Sequence, residues 1–292
     1  MLRKVWAFVR LTRPLFLFGG GVLNLLGLAV AASHGYTLDA GRAVLGQVLI
    51  TSIQLLAHYS NEYFDFEVDR LIGEQRTWFS GGSGVLAAGE LDRAVARQAM
   101  IVCAVVALIA LGLAATQTPI MLVIGSISLA GAYFYSAPPL TLMGSGWGEL
   151  VTALLTGLLV PMTGYALQTG RVDLSLLPLC LPLVLVYMAM IIAFQFPDRE
   201  ADAALGKRTL TVRLGLRRAA QLHNLLIALS LIALALSSPR WALLSVPLAV
   251  WQMIAVAELT RSGGRHFQWL TTGAVALSGL LPALLLIDLI TR

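Results

Sequence analysis

Nine apolar segments constrain the fold of this chain more than any other feature of its sequence. Each is close to the length of about 20 residues that an α-helix needs to span the hydrocarbon core of a membrane. The segments cover residues 15–34, 43–62, 97–116, 119–137, 149–168, 175–196, 219–238, 241–259 and 268–290. Two pairs are separated only by short breaks containing proline, which implies antiparallel neighbours. We therefore predict an all-α, multi-pass membrane bundle of nine transmembrane helices, formed by residues 1–292 as a single domain.

The composition agrees with a membrane protein. Of the 292 residues, 58% are hydrophobic and only 12% are charged, and the mean hydropathy is +0.82. Soluble domains carry about 25% charged residues. Cys103 and Cys180 both lie within apolar runs, so we expect small buried hydrophobes there and neither a disulfide nor a metal framework.

The basic residues predict the orientation of the bundle. Sixteen of the 20 Lys and Arg residues fall on one side of the nine-span arrangement. The other side holds only Arg42, Arg171, Arg240 and Arg292. Because positive charge accumulates on the cytoplasmic side, the N-terminus is expected in the cytoplasm and the C-terminus outside, in the cell membrane. The opening residues 1–14 predict an amphipathic helix at the membrane surface. Topology thus explains the net charge of +5 and predicts no nucleic acid partner.

Two acidic stretches stand at the cytoplasmic ends of the second and sixth segments. In the first, polar residues recur at steps of four, three, four and four, which places them on one helical face: Gln54, His58, Asn61, Asp65 and Asp69. The second repeats the ending with Asp198, Asp202, Gly206, Lys207, Arg208 and Thr209. Strongly polar groups inside a membrane span are costly and usually line a cavity. We expect both stretches to face one cavity.

The residue types at these two ends suggest a metal–diphosphate site. Mg²⁺ prefers a few carboxylates together with phosphate oxygens, and paired aspartates one turn apart supply such ligands. The cations expected to neutralise phosphate charge are Lys207, Arg208, Arg70 and Arg76. Metal-assisted departure of diphosphate from a lipid-borne carbon suits this arrangement. For His58 a structural hydrogen bond and a substrate contact are both open.

Three further features carry local predictions. The cluster Gly81–Gly84 is either a plain linker or a lid over the site. Tyr133 and Tyr135 are either part of an interfacial aromatic belt or present a ring face to a carbocation. Asp92 is expected to cap the N-terminus of the third span.

The motifs together resemble those of UbiA-type intramembrane prenyltransferases. Asn61 to Asp69 (NEYFDFEVD) is similar to the family's NDxxDxxxD motif, with Glu62 in place of the usual Asp, and Asp198 to Asp202 is similar to its DxxxD motif. The stretches Arg10–Pro14 (RLTRP) and Tyr135–Pro139 (YSAPP) resemble further family landmarks. The segments NEYFDF and GKRTL look most like those of dihydroxynaphthoate prenyltransferases of menaquinone synthesis.

This resemblance implies a helical bundle with a cytoplasm-facing cavity and a lateral opening to lipid. It implies a polyprenyl diphosphate donor, a commonly aromatic acceptor, and Mg²⁺ held by the acidic motifs, here Asn61, Glu62, Asp65, Asp69, Asp198 and Asp202. The loop 140–148 lacks the basic residue that often follows YSxPP. Phe194–Pro197 stand before the second motif in place of an Asn pair.

Three alternatives stay open from the sequence. An intramembrane terpene cyclase would ionise the same substrate without a separate acceptor, and a prenyltransferase could use a non-aromatic lipid acceptor. A cation-coupled transporter is disfavoured, because it predicts polar residues at mid-depth in several spans, whereas the spans outside the second one are almost free of them.

Overall fold

The computed structural model describes residues 2–237, 240–262 and 267–291, and these contain α-helices, short 3₁₀ and π turns, and no strand. The helices are α1 (Leu2–Thr12), α2 (Pro14–Ser33), α3 (Ala40–Phe64), α4 (Phe66–Ile72), α5 (Arg93–Gln117), α6 (Ile120–Ser136), α7 (Gly148–Leu154), α8 (Val160–Thr169), α9 (Leu177–Ala204), α10 (Leu210–Leu236), α11 (Val246–Ser262) and α12 (Phe267–Ile290).

Eight helical stretches in the described part of the chain are long and apolar enough to cross a membrane. They comprise α2, α3, α5, α9, α10, α12, the continuous stretch Gly148–Thr169 that joins α7 to α8, and Ala242–Arg261 around α11. The fourth predicted span corresponds to α6, which is apolar but only 17 residues long. The structure thus confirms an all-helical, multi-pass membrane bundle and leaves the count of nine spans and the orientation of the termini as predictions.

Capping residues set several of these helix boundaries. Asp39 accepts a hydrogen bond from the Arg42 backbone N–H at 2.8 Å at the start of α3. Asp92 accepts one from the Ala94 N–H at 2.6 Å at the start of α5, which confirms the predicted cap. Pro14 occupies the first turn of α2, where a missing N–H costs nothing.

Helix α9 is the central element of the C-terminal half of the bundle. It packs most extensively against α10 and also contacts α12, and its buried side chains include Leu183 and Ile192. In the other half α3 packs against α5, and α2 against α8. The α2–α8 contact is so close that a Cβ at Gly27 would overlap the Pro161 carbonyl. Small residues of this kind allow close helix approach in membranes.

Two helices extend further than the apolar segments predict. The sixth segment ends at residue 196, but α9 continues through Pro197 to Ala204. The seventh begins at residue 219, but α10 starts at Leu210 and bends at Gly215, where φ is 75°. As a consequence, the second acidic motif lies on the last turns of α9, and only the short link 205–209 separates it from α10.

Candidate active site

The ends of α3 and α9 that carry the acidic motifs border one cavity of about 730 Å³. The polar side chains of the two acidic stretches that line it are Asn61, Asp65, Asp69, Asp198, Asp202, Lys207 and Thr209. Gln54 and His58 line the same cavity from earlier turns of α3. The structure thus brings all five residues of the predicted polar stripe together with the second motif.

Lys207 lies between the two acidic motifs. Its ammonium makes an ion pair with Asp65 of the first motif and lies 3.4 Å from Asp202 Oδ1 of the second. Burial lowers the pKa of Lys207, but the charges of Asp65 and Asp202 raise it by more, so that its pKa is above the ordinary value. One compact cation can therefore contact carboxylates of both motifs at once.

Asp69 is held one turn beyond Asp65 because α3 ends at Phe64 and α4 restarts the helix at Phe66. Its residue surface is only 6% exposed. Burial raises the pKa of Asp69 well above its usual value, and the charges of Asp65 and Glu62 raise it further. Such a carboxyl group binds a proton or a cation readily.

The loop 80–84 lies across both acidic motifs. Ser80 Oγ lies 2.5 Å from Asp198 Oδ1, and Ser83 donates to Glu62 from its backbone N–H at 2.6 Å and its hydroxyl at 2.9 Å. At Gly82, where φ is +70°, a Cβ would overlap the Asp69 carboxylate. This glycine-rich segment, for which both a linker and a lid were expected, is in contact with the carboxylates. Whether it moves stays a prediction.

Arg13 belongs to this site, although the sequence reasoning used it only for the charge distribution and as part of the RLTRP stretch. Its guanidinium donates to Glu62 Oε1 at 2.5 Å and to Asn61 Oδ1 at 3.2 Å, and it lines the cavity. The oxygens of Glu62 are thereby occupied by Arg13 and Ser83, and Glu62 does not line the cavity. We therefore leave Glu62 out of the candidate metal ligands.

Four other predicted site residues lie away from the cavity. Arg70 follows Asp69 directly on the helix, so its side chain points about 100° away from that of Asp69. It is 58% exposed and lies 3.6 Å from Glu67. Arg76 donates to the backbone carbonyl of Asp69. Arg208 is exposed and donates its backbone N–H to Gly144. Tyr133 packs against Phe64 and Phe134 and borders a separate groove on α5 and α6.

Aromatic rings line the cavity beside the carboxylates. Phe16 lies edge to face with His58, Phe79 and Phe194, at centroid distances of 6.0–6.1 Å. All four side chains line the cavity, and so does Tyr135. Ring faces attract cations. These rings come from five separate segments, so no local sequence pattern could have grouped them.

Away from the acidic motifs the cavity is mostly apolar, with a few hydroxyl side chains such as Thr156 and Thr163, and it reaches the outer surface of the bundle. Phe18 of α2 and Leu280 of α12 line it and are 72% and 37% exposed. The lateral opening implied by the family resemblance therefore has a counterpart between α2 and α12.

The donor set fits a magnesium ion bound together with a substrate. Among the described residues no three His, Cys, Asp or Glu side chains converge closely enough to hold a metal by themselves. The aspartates instead offer pairs of oxygen ligands, which suits a cation that takes one or two carboxylates and completes its shell with water and phosphate oxygens. The Lys207 ammonium already places one positive charge between Asp65 and Asp202.

Comparisons with known proteins define the class of this fold and site. The chain matches the UbiA prenyltransferase family over residues 22–284. Among solved structures, a UbiA homolog from Archaeoglobus fulgidus bound to GPP and Mg²⁺ superposes with a TM-score of 0.62, at 22% identity, covering 98% of this chain and 100% of that one. A structure described under digeranylgeranylglyceryl phosphate synthase gives a TM-score of 0.66 at 18% identity, with 99% of each chain covered. These structural likenesses show the fold.

Two kinds of sequence relative follow. A 1,4-dihydroxy-2-naphthoate octaprenyltransferase of Bacillus subtilis (strain 168) is 25% identical over 70% of this chain, and the match spans 65% of that protein. A digeranylgeranylglyceryl phosphate synthase of Thermococcus gammatolerans is 29% identical over 73% of this chain and 71% of its own length. The chain belongs to the UbiA prenyltransferase family, whose relatives here are transferases.

Proposed function

We propose that this protein transfers a prenyl group from a polyprenyl diphosphate to an aromatic acceptor that bears a hydroxyl group, and that it requires Mg²⁺. The observation that carries the proposal is the Lys207 ammonium held between Asp65 and Asp202 in the lining of a largely apolar, aromatic cavity. A site that binds cations can hold an anionic diphosphate head through them, and the adjoining apolar part of the cavity suits a long hydrocarbon tail.

The residues would divide the work along the cavity. Asn61 and the four aspartates (Asp65, Asp69, Asp198 and Asp202) would hold Mg²⁺, which supplies Lewis-acid stabilisation of the departing diphosphate. Lys207 would move from its carboxylate partners to phosphate oxygens. Phe16, Phe79 and Phe194 would face the carbon that becomes positive as the bond breaks.

The charges of the cavity favour an aromatic acceptor over a phosphorylated lipid. Among the described residues that line it, the Lys and Arg side chains are Lys207 and Arg13, and both are already paired with carboxylates. With Lys207 assigned to the diphosphate and Arg13 to Glu62, the phosphate of a glyceryl phosphate acceptor would bring a larger negative charge than an aromatic carboxylate and would find no further lining cation to bind it. The relatives include one named for a naphthoate acceptor and one named for a glyceryl phosphate product, so an aromatic and a glyceryl phosphate acceptor must be compared in the same assay.

The site is proposed to face the cytoplasm from the cell membrane. The support is the distribution of Lys and Arg residues, sixteen of which fall on the side of the acidic motifs in the nine-span arrangement.

The test is a reconstituted transfer assay. Purified protein in lipid is incubated with Mg²⁺, a polyprenyl diphosphate and either 1,4-dihydroxy-2-naphthoate or a glyceryl ether phosphate, and products are identified by mass spectrometry. We expect a prenylated aromatic product, which disappears with a chelator and returns with Mg²⁺. Prenylation of the glyceryl phosphate alone would contradict the aromatic assignment. A cyclised prenyl product formed equally without acceptor would identify a cyclase.

A further inference from the structure

His58 is a titratable residue of the cavity to which the proposed function assigns no role. Once the four aspartates are assigned to the metal and Arg13 and Lys207 to their ion pairs, the titratable side chains left among the described lining residues are His58, Tyr135 and Tyr187. Tyr187 donates its hydroxyl to the Ser278 carbonyl at 3.1 Å. A neutral phenol such as Tyr135 is a poor base near neutral pH. His58 is therefore the lining side chain suited to accept a proton.

The hydrogen bonding of His58 determines which ring nitrogen is available. Nδ1 lies 2.9 Å from the Thr12 backbone carbonyl. A carbonyl oxygen only accepts, so Nδ1 must carry the hydrogen, and Nε2 is the atom left with a lone pair in the neutral ring. The Thr12 carbonyl belongs to the junction of α1 and α2, and the edge-to-face contact with Phe16 fixes the ring from the α2 side. The imidazole is thus held in one tautomer and one orientation.

The position of His58 along α3 corresponds to the reacting end of the substrate. It lies seven residues before Asp65, which is about 10 Å along the helix axis, on the same helical face and in the same cavity. A diphosphate bound at the carboxylates, with its chain running into the apolar part of the cavity, brings its first carbons past this level. The Phe16 ring lies beside it at the same place.

We propose that His58 is a catalytic residue whose Nε2 takes the hydroxyl proton of the acceptor as the new bond forms. This inference rests on the proposed function. The bond between the first prenyl carbon and the diphosphate oxygen breaks, and its electron pair leaves on the diphosphate. The acceptor ring carbon bonds to the prenyl carbon while the hydroxyl proton passes to Nε2. The aromatic ring is restored when that carbon loses its substituent, either as carbon dioxide or as a proton that the departed diphosphate takes up, and the oxygen takes its proton back from the imidazolium.

The test compares His58→Asn with wild type. Asn can keep the hydrogen bond to the Thr12 carbonyl but has no basic atom. General base catalysis contributes about 10²- to 10⁴-fold, so we expect a fall of that size in kcat for acceptor prenylation. KM for the prenyl diphosphate and the slow, acceptor-independent release of diphosphate should stay within twofold. Fluorinated acceptors with a more acidic hydroxyl should restore part of the rate in the variant, which a purely structural role would not explain.

A matched control is Ser52→Ala. Ser52 is buried on the same helix as His58 but does not line the cavity, and its hydroxyl bonds to the Val48 carbonyl of its own helix at 2.7 Å, so its loss should leave kcat within twofold. An unchanged transfer rate in His58→Asn would overturn this inference alone, and so would equal losses of transfer and diphosphate release. A wild-type protein that transfers no prenyl group would overturn the proposed function and this inference together.

Discussion

At the level of single residues, the four aspartates carry the strongest expectation. Asp65→Asn and Asp198→Asn each keep the side-chain size but remove a charge beside the proposed diphosphate. We expect prenyl transfer to fall by about 10²- to 10³-fold, with normal membrane insertion and thermal stability. Glu67→Gln is the matched control, because Glu67 lies between the two motif aspartates of the first helix end and its side chain is 64% exposed. Full activity of both Asn variants would place the reaction elsewhere.

Lys207 gives a second prediction at the same scale. Its ammonium should meet diphosphate oxygens, and hydrogen bonds to charged groups contribute about 1.5–3 kcal/mol. Lys207→Met should therefore raise KM for the prenyl diphosphate by about 10- to 100-fold and change KM for the acceptor little, as steady-state kinetics can measure. The neighbouring Arg208→Met serves as control, since Arg208 is exposed and away from the cavity. Equal effects of the two substitutions would argue for a general charge effect.

Residue-level reasoning from the sequence succeeded where spacing along one helix decides position. The stripe Gln54, His58, Asp65 does face one cavity. Reasoning from the sequence could not choose between Tyr133 and Tyr135. The two lie about 200° apart on α6, and of the two only Tyr135 lines the cavity. Nor could it find the contact between Arg13 and Glu62, because those residues are 49 positions apart and no local pattern encodes that distance.

At the level of elements, the glycine-rich loop 80–84 permits a test with an internal reference. Gly82 and Gly89 both have φ of +70°, but a Cβ at Gly82 would overlap the Asp69 carboxylate whereas Gly89 faces open space. Changing either to Ala introduces backbone strain of about 1–2 kcal/mol. We expect similar losses in thermal stability and a loss of transfer activity only in Gly82→Ala. Equal activity in the two variants would mean that the loop does not position Asp69.

Helix ends were the least predictable part of the fold. Hydropathy marks the stretch of a helix that suits lipid, so it ended the sixth segment at residue 196, although α9 continues through Asp198 and Asp202 to Ala204. The same criterion began the seventh segment at 219 because Arg213, Arg217 and Arg218 lower the local hydropathy. The existence and order of the helices followed from the apolar pattern, since burial in lipid or protein leaves long apolar runs few other conformations.

At the level of the whole molecule, the orientation in the membrane can be tested with two exposed positions. Glu90 and Arg171 are 38% and 61% exposed and lie in loops at the two ends of the bundle. In a background with Cys103 and Cys180 replaced by Ala, Arg171→Cys in intact cells should react with an impermeant maleimide, and Glu90→Cys should react only after permeabilisation. Labelling of both positions in intact cells would contradict the orientation.

The opening between α2 and α12 has a consequence for product length. Gly19 and Gly279 both line the cavity, and each would meet open space if it carried a side chain. A closed pocket limits the length of a bound hydrocarbon chain because the chain meets a wall at the bottom of the pocket. Here Phe18 and Leu280 line the cavity and are also exposed on the outer surface of the bundle, so a long prenyl tail can leave the cavity between α2 and α12. Under the proposed function we therefore expect this protein not to select the length of the prenyl chain. The number of isoprene units in its product would then be set by the synthase that supplies the donor.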